Sequence, residues 1–330
     1  MTSFDALLLI SFGGPEKRQD VLPFLENVLR GKNVPRERML EVAEHYYHFG
    51  GRSPINDQNR SLIAALEQEF ASHGLKLPIY WGNRNWQPLI GDTIRHMHKA
   101  GVHHAVALAT SAFGSYSGCR QYRQDIGNAL DAAGAQELII EKLNNFCDRP
   151  EFLQVMAERV SSAMAQLPDA EQIVFTAHSI PASMARSSPY VRQLELASEK
   201  VAQACGMRRW ALVFQSRSGP PSQPWLEPDI CEYLRAQHAA GVRSVIVCPI
   251  GFISDHMEVL YDLDTEARAL CDQIGLRMIR AGTAGAHPLI ASMVRKMIEQ
   301  HQTTPVMAHC EPGCCPVPQR PAVRPLTTAG

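Results

Sequence analysis

Apolar runs recur along this chain at regular intervals, each followed by a segment with helical periodicity. The first, DALLLISF at 5–12, ends in Gly13-Gly14-Pro15, the pattern of a buried parallel strand that turns sharply at its end. Helical patterns follow over 18–30, 39–49 and 57–70, the second closed by Gly50-Gly51. Runs at 78–81, 104–110 and 137–143 read as further strands, with a helix over 89–100 between the first two. This repetition predicts a parallel sheet covered by helices on both faces.

The second half repeats the plan. A helix is expected over 151–166, then a strand at 172–177 that runs straight into His178-Ser179-Ile180-Pro181. Helix 190–205, strand 210–214, helix 229–240, strand 243–250, a short strand at 276–280 and helix 287–301 complete it. The loop QSRSGPPSQPWLEPDI at 215–230 is long, and long structured loops in compact domains are usually functional. The chain therefore reads as α/β, with one domain over 1–150, a second over 151–303 and a tail over 304–330. Both halves carry their most polar, aromatic and glycine-rich segments at strand C-terminal ends, which predicts a cleft between them.

Composition changes this picture little. The length of 330 residues suits two domains, and a net charge of −1 gives no reason to propose nucleic acid as a partner. No apolar run approaches the roughly eighteen residues of a membrane span, and the run at 6–12 lacks the basic flank of a signal peptide. A cytoplasmic location is expected. The nine cysteines are odd in number and argue against a disulfide framework.

The chemistry concentrates in VIVCPIGFISDHMEVLYDLDTEAR at 245–268. Glu258, Asp262 and Glu266 stand four apart and so line one face of a helix, where like charges repel. Such a row is either a solvated acidic face or a carboxylate path for protons or a divalent cation. Asp255 and His256 stand at the helix start, just past a strand end. His178 also follows a strand directly; it is a structural histidine, one partner of an acid/base pair, or a metal ligand. Gly13-Gly14 lacks the spacing of a dinucleotide fingerprint, so no nicotinamide cofactor is expected.

Six segments resemble the ferrochelatases: LLLISFGGPE (7–16), HYYHFGGRSPIN (45–56), GNRNW (82–86), FTAHSIP (175–181), QSRSGP with WLEPDI (215–230), and CPIGFISDHMEVLYDLD (248–264). The resemblance implies two Rossmann-like domains in a chelatase-like fold, with a porphyrin cleft between them. It also implies insertion of Fe2+ into the porphyrin with loss of two protons. By resemblance His178 and Glu258 are the catalytic pair on opposite sides of the macrocycle, each able to hold iron or take a proton. Asp262 and Glu266 match a supply route for iron or protons. Iron is substrate here and need not remain bound. Within the family, GNRNWQPLIGDTIRHM and TSAFGSYSGCRQY look closest to the Gram-positive, actinobacterial-like branch that metallates coproporphyrin III. Arg30, Lys32, Tyr46, Ser53 and Tyr122 match its partners for the four propionates. Alternative readings are a protoporphyrin IX enzyme or a non-catalytic tetrapyrrole carrier. A transient contact with a downstream haem-pathway enzyme is a further expectation. Some members of the branch place a tyrosine near the metal where this chain has Glu16, which excludes a tyrosine ligand there.

The tail adds Cys310, Cys314 and Cys315 in a C-x3-C-C spacing. Some ferrochelatases bind a [2Fe–2S] cluster with three C-terminal cysteines and one internal cysteine. Here Cys147 in NNFCDRPEF is the expected fourth ligand and Cys119 its rival. Zinc, or a tail without metal, are the alternatives.

Overall fold

The computed structural model describes residues 3–32, 34–219, 223–304 and 314–317. Two four-stranded sheets form its centre. The first contains β1 (Ala6–Ser11), β2 (Ile79–Asn83), β3 (His104–Ala109) and β4 (Ile139–Lys142) in the order β2-β1-β3-β4. The second contains β5 (Gln172–His178), β6 (Trp210–Gln215), β7 (Ser244–Cys248) and β8 (Arg277–Arg280) in the order β6-β5-β7-β8. Every pairing is parallel. The two halves thus share one topology. In each, the chain goes to one side of the first strand and then crosses to the other, so the order reverses between β1 and β3 and between β5 and β7. Crevices open at the strand C-terminal ends at such switch points.

Strand alternation builds the cores. Successive side chains point to opposite faces. Leu7 and Leu9 of β1, with Ile173, Phe175 and Ala177 of β5, enter one core shared by both halves. Ala6, Leu8 and Ile10 face an outer core of the first half, and Val174 one of the second. Each such side chain, fully buried, contributes roughly 1.5–3 kcal/mol if it is as large as Val, Leu, Ile or Phe.

The halves also interlock. Helix Pro288–Thr303, the last among the described residues, packs on helix Ile55–Ser72 of the first half as well as on helix Pro150–Gln166. Arg295 pairs with Glu69 across that contact at 2.8 Å. Glu141 on β4 accepts from two histidines, His104 at 2.7 Å and His301 at 2.8 Å. Nearly all elements lie within two residues of their expected positions.

Two features depart from expectation. A short helix, Ala182–Arg186, follows His178-Ser179-Ile180-Pro181. The helix that carries the acidic row is wound as a π-helix over Leu260–Ala267, between α-helical turns at Met257–Val259 and Arg268–Ile274. Its buried residues Val259, Leu263 and Ala267 repeat every four positions, as the acids do. An α-helix would rotate such a row by about 40° per step. The wider winding turns such a row back the other way, so along the mixed helix the apolar row stays on the core and the acidic row beside it.

Candidate active site

His178 closes β5, and the turn after β7 leads to Glu258, so the switch point of the second sheet delivers both side chains to one place. His178 Nε2 lies 3.4 Å from Glu258 Oε2, so the two side chains meet on one side of the cleft and do not, as the resemblance implies, face each other across a macrocycle. The imidazole Nδ1 donates to the Ser179 carbonyl at 2.5 Å, which fixes the tautomer and leaves Nε2 as the working nitrogen. The hydroxyl of Tyr190 donates to the His178 carbonyl at 3.1 Å and holds the strand end. Burial disfavours the imidazolium, but the Glu258 carboxylate and the Ser179 carbonyl outweigh it, so the His178 pKa rises above the ordinary value. Burial likewise works against the Glu258 carboxylate, and the opposing histidines and Lys32 overrule it, holding the carboxyl well below the usual range. Both shifts favour the imidazolium–carboxylate form of the pair.

Next to it, His256 is a helix cap. Its Nδ1 accepts from the Glu258 backbone N–H at 3.2 Å, and burial lowers its pKa, so it stays neutral. Asp255 is bound to Arg280 at 2.9 Å, and Gln58 of the first half holds its backbone from both sides at 3.2 and 3.0 Å. Both residues build the turn that presents Glu258.

One turn outward, Asp262 accepts from Gln215 Nε2 at 3.2 Å and from the Ser216 hydroxyl on the same oxygen. Burial pushes its carboxyl up to about 7, helped by Glu258 and Glu266 and opposed by the two donors. Glu266 is exposed, and its carboxyl is also raised, by desolvation and by Asp229, against the pull of Arg38. The first half reaches this row. His45 stacks on Tyr261 at 3.5 Å between ring centroids, within 8° of parallel.

The expected propionate partners lie on the first-half wall. Arg30 donates to Asn27 Oδ1 at 2.5 Å and is exposed. Lys32 is exposed and acts on Glu258 through its charge. Tyr46 packs its ring 5.7 Å from Phe24, and its hydroxyl pKa is raised by burial and by Glu258. Ser53 is buried under Gly14, its N–H on the Pro15 carbonyl at 2.8 Å. Tyr122 is buried beneath Arg84, whose guanidinium lies 3.9 Å above the ring and is held by Asp125 at 2.6 Å. Glu16 is taken up by Arg60 and by Asn56 Nδ2 at 3.0 Å. Sequence reasoning missed Arg84, His45, Tyr261, Gln215 and Ser216. All five stand inside quoted motifs, but only the fold shows what they touch.

The described tail segment, 314–317, touches both halves. The Cys315 N–H donates to the Ser187 carbonyl at 2.9 Å, and Arg120 donates to the Cys315 carbonyl at 3.3 Å. Cys314 and Cys315 hold their sulfurs 3.5 Å apart. Two thiolates on one tetrahedral ion with metal–sulfur bonds of 2.3 Å stand about 3.8 Å apart, so this pair fits a thiolate-held metal or cluster. Cys310 lies outside the described residues. Cys147 is buried, its thiol pushed up to about 12 by desolvation, and Cys119 lies 3.8 Å from Lys142 Nζ. Among the described residues, no three His, Cys, Asp or Glu side chains gather into a metal site, so Cys147 is not brought together with Cys314 and Cys315.

The ferrochelatase profile matches residues 4–302. The chain belongs to the ferrochelatase family. It is 50% identical to a ferrochelatase of Rhodopirellula baltica, over 97% of this chain and 96% of that one. It is 48% identical to the coproporphyrin III ferrochelatase of Streptomyces coelicolor, over 95% of this chain and 93% of that one. Its identity to the coproporphyrin III ferrochelatase of Mycolicibacterium smegmatis is 49%, over 90% of each. Among solved structures, the sirohydrochlorin chelatase SirB of Bacillus subtilis in complex with cobalt matches with a TM-score of 0.56 at 11% identity, covering 92% of this chain and 97% of that one. CbiX, the terminal enzyme of sirohaem biosynthesis in denitrifying bacteria, matches at 0.51 and 11%, covering 89% and 98%. At that identity the likeness speaks for the chelatase-like fold alone. No helix among the described residues of this ferrochelatase family member is long and apolar enough to cross a membrane.

Proposed function

We propose that the enzyme inserts Fe2+ into coproporphyrin III, giving Fe-coproporphyrin (coproheme) in haem biosynthesis and releasing two protons. The observation that carries the mechanism is the His178–Glu258 pair, 3.4 Å apart, at the head of a row of carboxylates. A free porphyrin keeps two N–H protons on the site that iron must enter. His178 Nε2, once its proton is shared with Glu258 or lost, presents a lone pair to a pyrrole proton or to the arriving ion. Glu258, on the same side as His178, receives a proton or a cation from it, with neutral His256 at its helix start. Asp262 and Glu266 continue outward as the route for iron or protons. Arg30, Lys32, Tyr46, Ser53 and Tyr122 are assigned to the propionates. The coproporphyrin III names of the relatives support this choice, as does a first-half wall that carries Arg30, Lys32 and Arg84. Four propionates need more cationic and hydroxyl partners than two.

Steady-state metallation with Fe2+ and each porphyrin tests this. Coproporphyrin III is expected to turn over faster than protoporphyrin IX. Equal or faster turnover with protoporphyrin IX would overturn the substrate, and no turnover with either would favour a carrier.

The second part of the proposal is a [2Fe–2S] cluster held by Cys147, Cys310, Cys314 and Cys315. The paired sulfurs of Cys314 and Cys315 support it, and Cys119 is the rival fourth ligand because its neighbour Arg120 already holds the tail. When bound, the cluster would fasten the tail to the body. Protein purified without oxygen should absorb in the visible and contain iron and sulfide. Loss of that absorbance in Cys147→Ser but not in Cys119→Ser identifies the ligand. We assign the work to the cytoplasm, where the eight described cysteines would remain thiols, as they are here. Handover of the product to a downstream haem-pathway enzyme completes the proposal.

A further inference from the structure

Among the described residues, only Ser216 and Cys315 depart from glycine's monopoly on positive φ. Ser216 has φ 61°, the left-handed region that side chains other than glycine and asparagine avoid. It lies directly after β6, where Gln215 pairs in register with His178 and accepts from the Ser179 N–H at 2.7 Å. A glycine would hold this turn without strain. Strain that persists beside an active site calls for a reason in the side chain.

Among the described residues that side chain has one target, the Asp262 carboxylate, to which its hydroxyl donates. The same oxygen takes a second bond from Gln215 Nε2, which also donates to the Glu258 carbonyl at 3.2 Å. Gln215 and Ser216 together tie the strand end beside His178 to two successive turns of the acidic helix, the α-helical turn at Glu258 and the π-helical one at Asp262. With Oδ2 occupied by two donors, the second oxygen of Asp262 is held in one orientation. The Gln215 Oε1 acceptor is buried alongside without a hydrogen-bond partner among the described residues.

We infer that Ser216 is a positioning residue for metallation: its left-handed backbone aims the hydroxyl that fixes Asp262 one turn outward from Glu258. Asp262 then receives its cargo without first searching rotamers, and the penalty of the turn is the cost of that preorganisation. The inference deepens the proposed function and rests on the assignment of Asp262 to the supply route.

The test is a double-mutant cycle with Fe2+ varied at saturating coproporphyrin III. Ser216→Ala is expected to lower kcat/KM for Fe2+ about tenfold while leaving the KM for porphyrin unchanged. Asp262→Asn should do the same, and the double variant should be no worse than Asp262→Asn alone. Ser216→Gly, which relieves the turn, should lose as much activity as Ser216→Ala while melting at the same or a higher temperature. Wild-type Fe2+ kinetics in Ser216→Ala or in Asp262→Asn would overturn the inference, as would losses that add in the double variant. Failure of the parent reading looks different, because the unmutated enzyme would then not metallate the porphyrin at all.

Discussion

At the scale of single residues, the site works by assigning one state to each titratable group. His178 has Nδ1 committed to a carbonyl and Nε2 directed at Glu258. His178→Ala should therefore reduce metallation by about 10²–10⁴-fold, the usual range for a general acid–base group. Far-ultraviolet circular dichroism should show the fold unchanged, since β5 is held by backbone pairing on both sides. Asp262 behaves in the opposite way to most paired carboxylates. Its folded pKa of about 7 exceeds the free value of 3.8, so the folded state binds more protons between those limits and loses stability as pH rises through them. Asp262→Asn removes that penalty. Its melting temperature should exceed that of the unmutated protein at pH 8, with the gap closing towards pH 4. Both residues were legible in the sequence, because a histidine at a strand end and acids every four residues are local patterns. Ser216 and Arg84 were not, since a positive φ and a ring beneath a guanidinium 38 residues away are products of the fold.

At the scale of elements, the strands and most helices could be read from apolar runs and turn residues, and the π-winding could not be read by the rule applied. A single row spaced by four fits an α-helix well enough. The informative signal was two rows, apolar 259-263-267 beside acidic 258-262-266, both in a period longer than 3.6. The turn before this helix is set just as tightly. Gly251 lies on β5 beside Ala177, and a Cβ there would meet Ala177 Cα at 2.7 Å and Cβ at 2.6 Å. Neither atom can yield without moving the strand that carries His178. Gly251→Ala is expected to destabilise by about 1–3 kcal/mol through overpacking. It should also lower kcat more than porphyrin affinity, because the displaced turn carries Glu258. Porphyrin binding followed by fluorescence quenching, beside turnover, separates the two effects.

At the scale of the whole molecule, the two-part plan was legible in the repeated β-α pattern, whereas the sharing of the core was not. Periodicity shows which face of a helix is apolar and is silent about which sheet it will cover. Helix Pro288–Thr303 belongs to the second half in sequence and lies on the first in space. Glu141 completes this interlock between His104 and His301. The two histidines hold its carboxyl below the usual range against the effect of burial, so its contribution is present above the free carboxyl pKa and fades as pH falls through the folded one. Glu141→Gln should cost about 1 kcal/mol at pH 7 after allowance for screening. Thermal melts should show a loss of a few degrees at pH 7 and a smaller one in acid. The same helix sets an order of events during synthesis. The first sheet leaves the ribosome early, yet part of its cover is encoded more than two hundred residues after helix Ile55–Ser72. At about 5–20 residues per second, the apolar surface of helix Ile55–Ser72 waits roughly 10–50 s for its partner. Until then the nascent protein exposes a surface that chaperones recognise, and a chain that stops short of residue 288 would leave the first half unfinished along with the second.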